Sequence, residues 1–350
     1  MSKLDQKIAE INAKILALAS KKSRLLAIKF GAKGGEGSGR YPAGSGEAQN
    51  TVGAKYTREA VGSLKTASWT RKQIDTSKGD AKVKSELRDL RITATGQVFE
   101  SEKDGGDSRE ATQSDVVNTI QSVLGMHPAD YREAMLNKVT GVGENAKLIF
   151  DVLEDKEYGK TTVTATLQEL GKQFVMTRSF VLTTKGVKDE DGKIGDGKIT
   201  ITNDLFLLAK RDQDKGFGKQ ITQNLVAIAD HIGASKIDLE ANVDVGGYAW
   251  AKYGFAPTPA NWRGLANSIK SKYAEKLAAL PNQVSTEVNA ILNSNSPDSI
   301  QKLAAVDFKS AADKYPIGKS LLLKTTWAGS IDLTDKKSYS TIKAYCAKRK

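Results

Sequence analysis

The hydrophobic pattern is clearest between residues 147 and 208, where apolar and β-branched residues alternate with polar ones or form short runs. Alternation with a period of two is typical of strands that bury one face. Gly171-Lys172 predicts a tight hairpin, and the Asp-Gly-rich segment 188–197 predicts a second turn. We therefore predict successive antiparallel strands. They cover Leu148–Leu153, Thr161–Leu170, Phe174–Leu182 and Lys198–Leu208.

The region before these strands carries helical periods instead. Ser114–Leu124 places its apolar side chains on one face, and Ser114 is the predicted N-terminal cap. Pro128 begins a further predicted helix over about Ala129–Lys138. Val83–Ile92 is charged and helical in period, and Gln97–Glu110 is predicted to be a polar loop.

A glycine turn and an amphipathic helix follow the last of the predicted strands. The turn reads Gln213-Asp214-Lys215-Gly216-Phe217-Gly218, and the helix leads to a short strand at Lys236–Leu239 and an aromatic segment ending in Gly254-Phe255. The order strand, glycine turn, helix directs free backbone N–H groups at a phosphate. The two turn glycines let a ligand approach the main chain closely because they have no Cβ.

These features together resemble the GNAT superfamily of N-acyltransferases. Gln213–Gly218 matches Q/R-x-x-G-x-G/A, the motif with which that family binds the diphosphate of acyl-CoA, and the helix, strand and Gly-Phe ending follow in the same order. The resemblance covers roughly residues 145–260. It implies an α+β (α/β-like) fold, with a mixed and mostly antiparallel sheet flanked by helices. It also implies acetyl-CoA as the cofactor.

The resemblance assigns roles to particular groups. Backbone N–H groups of residues 214–218 and the start of the helix would hold the diphosphate. The main chain that splays apart after the strand ending at Leu208 would orient the thioester, and a backbone N–H would polarise its carbonyl. The cofactor-binding residues predicted in this way are Gln213, Asp214, Lys215, Gly216, Phe217, Gly218, Lys219 and Asn242.

The acid and base are less clearly marked. Asp204 and Glu240 are candidates for the base, although each also fits an ordinary surface or structural carboxylate. The family places an acidic Tyr five residues before the Phe of its Gly-Phe ending, and this chain has Trp250 there, whose indole N–H cannot supply a proton. We expect neither Tyr248 nor Tyr253 to point where Trp250 points. Either Tyr248 serves through a local shift, or solvent serves, or the domain binds without catalysing.

The N-terminal region predicts two different segments. Residues 1–30 read as one helix, in which Leu4, Ile11, Leu18 and Leu25 recur every seven residues. This coiled-coil-like helix is either an arm that docks on other subunits through residues 4–25 or a helix packed on its own domain. The Gly/Ser-rich residues 31–55 predict a linker or extended arm, part of which resembles a phrase of tailed-phage structural proteins.

We divide the remainder into a helical or irregular region (56–140), the GNAT-like domain (141–260) and a helical, basic C-terminal extension (261–350). Leu265–Leu280 is the predicted amphipathic helix of that extension. A final basic helix is predicted to run to Lys350. The pattern from Leu321 onward also resembles C-terminal segments of large phage and plasmid proteins.

The distribution of charge and the small numbers of cysteine and histidine limit the functions that the chain can have. The net charge is +12, with 15 Lys/Arg against 7 Asp/Glu in residues 1–80 and 11 against 4 in residues 300–350. Basic flanks indicate either a polyanionic partner such as nucleic acid or a solvated surface. Cys346 is the only cysteine, and His127 and His231 are the only histidines, which argues against an intrachain disulfide and a His-based metal site.

Two hypotheses remain open from the sequence. The first is a virion-associated phage protein built on a GNAT fold, which docks on other subunits or DNA and retains acyl-CoA binding or not. The second is an active acetyl-CoA-dependent N-acetyltransferase that modifies an amine on a protein or small molecule. We expect either to be found in a virion or in host cytoplasm, because no secretory signal or membrane-length apolar run is visible.

Overall fold

The computed structural model describes residues 74–100, 108–212, 215–241 and 246–347. The predicted N-terminal helix, residues 1–30, and the predicted linker, residues 31–55, lie outside the described residues. Within the described ranges the chain is an α+β protein in which one open, mixed sheet is flanked by helices.

The elements follow each other in two groups along the chain. The first group is α1 (Asp80–Asp89), β1 (Ile92–Phe99), β2 (Ser108–Glu110), α2 (Gln113–Leu124), α3 (Pro128–Leu136), β3 (Lys147–Asp155), β4 (Lys160–Glu169), β5 (Phe174–Thr183) and β6 (Ile199–Leu207). The second is α4 (Phe217–Ile232), β7 (Ala234–Ala241), α5 (Gly246–Tyr253), β8 (Ala256–Pro257), α6 (Pro259–Lys272), α7 (Ala274–Ala278), α8 (Asn282–Asn293), α9 (Ser299–Ala305), α10 (Ile317–Leu322), β9 (Trp327–Asp332) and α11 (Lys336–Ala347).

The described strands form a single sheet in the order β2-β1-β3-β4-β5-β6-β7-β9-β8. Two neighbouring pairs are parallel, β1 with β3 and β6 with β7, and the other pairs are antiparallel. Parallel neighbours need a crossover on one face of the sheet. Helices α2 and α3 form the first crossover and α4 forms the second, and α3 packs against α4, so that both crossovers lie on the same face.

The register places apolar side chains in a continuous row beneath these helices. Each member pairs with the next across the sheet, and each is buried: Val152, Val163, Phe180, Ile201, Ile237 and Ile331. The adjacent row points to the opposite face because side chains alternate along a strand. That row is polar throughout and half-buried or exposed: Thr95, Asp151, Thr164, Ser179, Thr202, Asp238 and Ser330.

The strands predicted between residues 147 and 208 are confirmed, with ends shifted by one or two residues. The predicted loop Gln97–Glu110 is wrong at both ends, because Gln97 belongs to β1 and pairs with Glu110 of β2. The predicted helix Val83–Ile92 ends earlier, and Ile92 instead begins β1. Gly96 interrupts the apolar alternation of β1, so the sequence pattern did not predict a strand here. A Cβ there would lie 2.9 Å from Val116 Cγ2, so the position needs glycine for close packing with α2.

The predicted cap of α2 is also wrong. The hydroxyl of Thr112, not that of Ser114, accepts a hydrogen bond from the backbone N–H of Asp115 (3.1 Å). The Ser114 hydroxyl instead donates to Asp80 Oδ1 (2.7 Å) and links α2 to α1. The sequence analysis chose Ser114, and the tertiary contact of its hydroxyl with α1 explains why Thr112 is the cap instead.

The predicted region boundaries cut across the sheet. Strand β1 comes from the region 56–140, and β9 comes from the predicted extension 261–350, where it pairs with β7 from Lys236–Asp332 to Ala241–Trp327. The helix predicted at Leu265–Leu280 begins earlier, as α6, and breaks at Tyr273 before α7. The described parts of these three regions therefore share one sheet and one hydrophobic core.

Candidate functional site

The sheet opens between β6 and β7. Their parallel pairing runs from Ile199–Ala234 to Asn203–Leu239 and then stops, although both strands continue. Beyond that point β6 pairs only with β5, and β7 pairs only with β9. Among the described residues, no strand pairs with β6 over residues 204–207 on the side of β7, so this edge of β6 borders the gap.

A β-bulge at Asp204 accompanies this opening. In the pairing of β5 with β6, Thr177 is opposite Leu205 and Arg178 is opposite Asn203, so Asp204 is the extra residue. A bulge bends its strand and increases the local twist, and it frees backbone groups from the ladder. The bulge falls one residue after the last pair between β6 and β7, which explains why the two strands diverge there.

The first turn of α4 lies beside the opening. Gly216 is its N-terminal cap, with φ 88° in the left-handed region, and no side chain caps the helix. Apart from its two chain neighbours, none of the described residues would come within 4 Å of a Cβ added at Gly216. The first N–H groups of a helix have no partner inside the helix. Gln213 and Asp214, the start of the predicted motif, lie outside the described residues.

The charged residues of the turn are partly paired with one another. Lys215 Nζ lies 3.0 Å from Asp212 Oδ1, and Arg211 Nε lies 3.5 Å from Asp212 Oδ2. The hydrogen bond from Lys215 is the main reason why the pKa of Asp212 is lowered. Lys219 Nζ points toward the C-terminal helix, 5.7 Å from the centre of the Tyr345 ring. Of the two predicted lysines, Lys215 is therefore already engaged, and Lys219 lies on α4 itself.

The two predicted bases lie on either side of the opening. Asp204 is the bulge residue, and its Oδ2 accepts a hydrogen bond from Ser179 Oγ (2.7 Å). Desolvation raises the pKa of Asp204, although the Ser179 hydroxyl and the nearby Arg178 guanidinium act in the other direction. Glu240 is exposed and comes one residue after the last residue of β7 that pairs with β6. Asn242, the predicted CoA contact, lies outside the described residues.

The aromatic segment resolves the position of the three candidate rings. Tyr248 is half-buried, and the ammonium groups of Lys252 and Lys319 lie 5.8 and 5.6 Å from its ring centre. Partial burial raises the pKa of Tyr248. Trp250 packs on Phe255 at a centroid distance of 5.3 Å.

The Tyr253 ring packs against the Trp250 ring, although we expected the two side chains to point in different directions. The two rings are 5.5 Å apart. Residues three apart on a helix are neighbours, and this spacing was visible in the sequence. Moreover, a Cβ added at Gly218 would lie 3.5 Å from the Tyr253 hydroxyl, so this hydroxyl reaches the first turn of α4. Burial raises the pKa of Tyr253 well above its ordinary value and keeps the hydroxyl protonated.

A buried arginine beneath the bulge was missed by the sequence analysis. Arg178 is 2% exposed, its Nε donates to Asn203 Oδ1 (2.7 Å), and its Nη1 lies 3.2 Å from Met135 Sδ. Desolvation lowers its pKa to about 10. Burial likewise raises the pKa of the neighbouring Tyr131 to about 12. Arg178 occupies an apolar position of the alternating pattern, which is the only sequence signal that it is buried.

The C-terminal helix α11 forms one wall of this region. Tyr339 Oη donates to Asp230 Oδ2 (2.6 Å), and Lys343 Nζ lies 3.1 Å from the same oxygen. At the other end of the helix, the Tyr345 ring packs edge-on against Tyr253 at 4.8 Å. Helix α11 therefore runs antiparallel to α4 and ends near the first turn of α4.

Comparisons of the chain with protein-family models, with curated proteins and with solved structures found no match. Among the described residues, no group of three or more His, Cys, Asp or Glu side chains is placed to hold a metal ion. In that same part of the chain, none of the helices combines the length and the apolar character needed to cross a bilayer.

Proposed function

We propose that this protein binds acyl-CoA and transfers the acyl group to an amine, as the resemblance to GNAT acyltransferases implies. One observation carries the proposal: β6 bulges at Asp204 and parts from β7 at the same point where the uncapped, open first turn of α4 begins. A gap in a parallel strand pair beside a free helix N-terminus provides a place for a reactive group and a place for its phosphates.

The diphosphate of CoA would bind at the start of α4. The unpaired N–H groups of the first turn and the positive end of the helix dipole favour an anion. Gly216 would allow the phosphates to approach the backbone, since it has no Cβ and no described residue beyond its chain neighbours occupies the space beside it. Lys219 adds a positive charge on the same helix.

The acyl group would enter the gap between β6 and β7. No described strand pairs with the edge of β6 beyond Asn203 on that side, so a backbone N–H of residues 204–207 would donate to the thioester carbonyl. A fixed donor that faces the oxygen where negative charge develops stabilises the transition state of acyl transfer.

The proton transfers involve groups on both sides of the gap. The amine nitrogen forms a bond to the carbonyl carbon, the carbon–sulfur bond breaks, and the amine loses a proton. Glu240 or Asp204 accepts that proton, directly or through water. The leaving thiolate takes a proton from Tyr253, whose hydroxyl reaches the first turn of α4, or from solvent. We propose Tyr253 in place of Tyr248 because its hydroxyl would lie 3.5 Å from a Cβ added at Gly218.

The role in a phage virion stays a prediction. The features that favour it are the helix of residues 1–30 and the phage-like phrase in residues 31–55, and these lie outside the described residues. We keep it as a proposal about where the protein acts. It is compatible with acyl transfer, because an enzyme can be carried in a virion.

Isothermal titration of the full chain with acetyl-CoA tests the proposal. We expect saturable binding that the Gly216→Glu variant weakens at least about tenfold, because a carboxylate at the helix start repels the diphosphate. Gly79→Glu is the matched control. Gly79 also caps a helix with a positive φ and open surroundings, but it lies at α1. Absence of binding by the unmodified chain, or equal binding by the Gly216 variant, contradicts the proposal.

A further inference from the structure

A groove of about 590 Å³ lies on the β7 side of the opening, between α6 and the segment that enters β9. Glu240 stands at its edge, and since Glu240 follows the last residue paired with β6, the groove adjoins the gap between the strands. Its volume is in the range of small-molecule sites. Buried apolar residues such as Ile269 and Trp327 also line it.

Charged side chains of both signs line this groove. Glu240 supplies one carboxylate, while Lys272 of α6 and Lys324 of the segment before β9 supply two ammonium groups. None of these three side chains forms an ion pair with another of the described residues. Asn261, Ser268 and the Tyr273 side chain add polar groups along the same wall.

The backbone near Lys324 supports a functional role for this segment. Lys324 has φ 60°, in the left-handed region that non-glycine residues adopt only at an energetic cost. The following residue, Thr325, is buried, donates from its hydroxyl to Leu322 O (2.7 Å) and abuts Gly247 of α5. The segment is thus fixed by its neighbours, and Lys324 is held in a strained conformation at the rim of the groove.

From this arrangement we infer that the groove binds an amine that carries acidic groups, and that L-glutamate has the matching charges. The substrate ammonium lies toward Glu240, next to the gap, and two carboxylates lie toward Lys272 and Lys324. The inference rests on the proposed function, because it makes this amine the acceptor of the acyl group. The ammonium first loses a proton to Glu240, and the amine nitrogen then bonds to the thioester carbon. The carbon–sulfur bond breaks, the nitrogen gives up its second proton, and the thiolate takes up a proton from Tyr253 or solvent and leaves as free CoA.

The experiment measures amine binding without acyl-CoA. Saturation-transfer NMR on the full chain compares L-glutamate, L-glutamine and putrescine, which carry two, one and no carboxylates. We expect affinity to fall in that order, and we expect Lys272→Glu and Lys324→Glu each to weaken glutamate binding about tenfold. Glu240→Gln should weaken glutamate by a smaller factor and should change the resonances of its α-proton.

Lys270→Glu is the control, because Lys270 lies on the same helix but donates to Asn293 Oδ1 (2.7 Å) and does not line the groove. This variant should bind glutamate as the unmodified chain does. Preferred binding of putrescine, no binding of glutamate, or an equal loss in Lys270→Glu overturns the inference.

The two proposals fail in distinguishable ways. If acetyl-CoA does not bind but glutamate binding depends on Lys272 and Lys324, the groove site stands and acyl transfer is wrong. If acetyl-CoA binds at Gly216 and glutamate does not bind, the groove inference alone is overturned. If both bind, acetylation of glutamate with release of free CoA should follow, at a rate that Lys272→Glu lowers through KM and not through kcat.

Discussion

Two neighbouring pairs of the described strands are parallel and are each joined by a helical crossover on the same face, and they differ in how completely the two strands pair. The pair β1–β3 runs without interruption from Ile92–Leu148 to Phe99–Asp155. The pair β6–β7 has an irregular register at its start and separates after Asn203–Leu239. The same arrangement of two parallel strands and a crossover therefore gives continuous pairing in one place and a gap between the strands in the other.

The crossover helices of the two pairs also differ, in whether a side chain caps the helix N-terminus. Helix α2 of the closed pair is capped by Thr112, so its first N–H groups are partly satisfied from within the chain. Helix α4 of the open pair begins at Gly216 without a side-chain cap. A protein gains stability from a capped helix and a complete ladder. Among the described residues, α4 lacks a side-chain cap and the pairing of β6 with β7 stops early, as the proposed site for an anion and a reactive group requires.

The closed pair should tolerate change least, and Gly96→Val should have the largest effect on stability. A Cβ at Gly96 would lie 2.9 Å from Val116 Cγ2 and 3.1 Å from Val152 O. The first contact is with a side chain of α2 and the second is with the backbone of β3, so relief requires α2 to move off the sheet and β1 to shift against β3. We expect the free energy of unfolding to fall by about 3 kcal/mol, measured by urea denaturation. Gly171→Ala, in open surroundings, should change it by less than about 0.5 kcal/mol.

Closing the open pair should abolish its function but spare the fold. Deletion of Asp204 leaves Asn203 opposite Arg178 and Leu205 opposite Thr177 in an unbroken ladder, so no later side chain changes face. We expect acetyl-CoA binding to weaken at least about tenfold, as measured by isothermal titration, while the circular dichroism spectrum is retained.

Asp204→Ala separates the backbone from the side chain in this test. It keeps the bulge and removes only the carboxylate, and we expect acetyl-CoA to bind within about threefold of the unmodified chain. If the deletion and the substitution weaken binding equally, the bulge has no role of its own, and the contrast between the two strand pairs does not bear on function.

The sequence predicted those features of this contrast that depend on local patterns, and it did not predict those that depend on contacts between distant segments. Alternation along β3 to β6 is local, and these strands were predicted correctly. The Gly-rich turn and the start of α4 were found in the same way. The bulge at Asp204 depends on the register with β5, which a single strand does not encode, although Asp204 itself was chosen as a candidate carboxylate.

Features that depend on distant parts of the chain were missed. Strand β1 was predicted as the end of a helix and the start of a loop, because Gly96 and several polar residues interrupt its alternating pattern. The glycine is explained only by the close packing of β1 against α2. Strand β9 was placed in an extension because 85 residues separate it from its partner β7, as counted from Ala241 to Trp327. Arg178 looks like a surface residue until its bond to Asn203 and its burial are known.

The capping of α2 offers a smaller test on the closed side. Thr112→Ala removes the acceptor for the Asp115 N–H, and we expect a loss of about 1 kcal/mol in the free energy of unfolding. Ser114→Ala removes an exposed hydrogen bond to Asp80 and should cost less than half as much. Thermal and urea denaturation of both variants measure this difference. A larger loss for Ser114→Ala would restore the cap that the sequence predicted.

The smallest expected effect concerns the charge at the open pair. Desolvation raises the pKa of Asp204 above its ordinary value of 3.8, so the folded chain holds this proton to a higher pH than the unfolded chain. The free energy of unfolding therefore falls as the pH rises through the interval between the two pKa values, and the full cost is present above it. Asp204→Asn lacks this titration. The variant should thus gain stability relative to the unmodified chain as the pH is raised from about 3 to about 7. Because Asp204 is partly exposed, the gain should stay below about 1 kcal/mol.

The matched variant Asp151→Asn, on the closed pair, controls for the loss of an exposed sheet carboxylate. Urea denaturation at a series of pH values measures both, and a relative loss of stability by Asp204→Asn toward neutral pH would mean that Arg178 and Ser179 favour the ionised carboxylate more than burial opposes it.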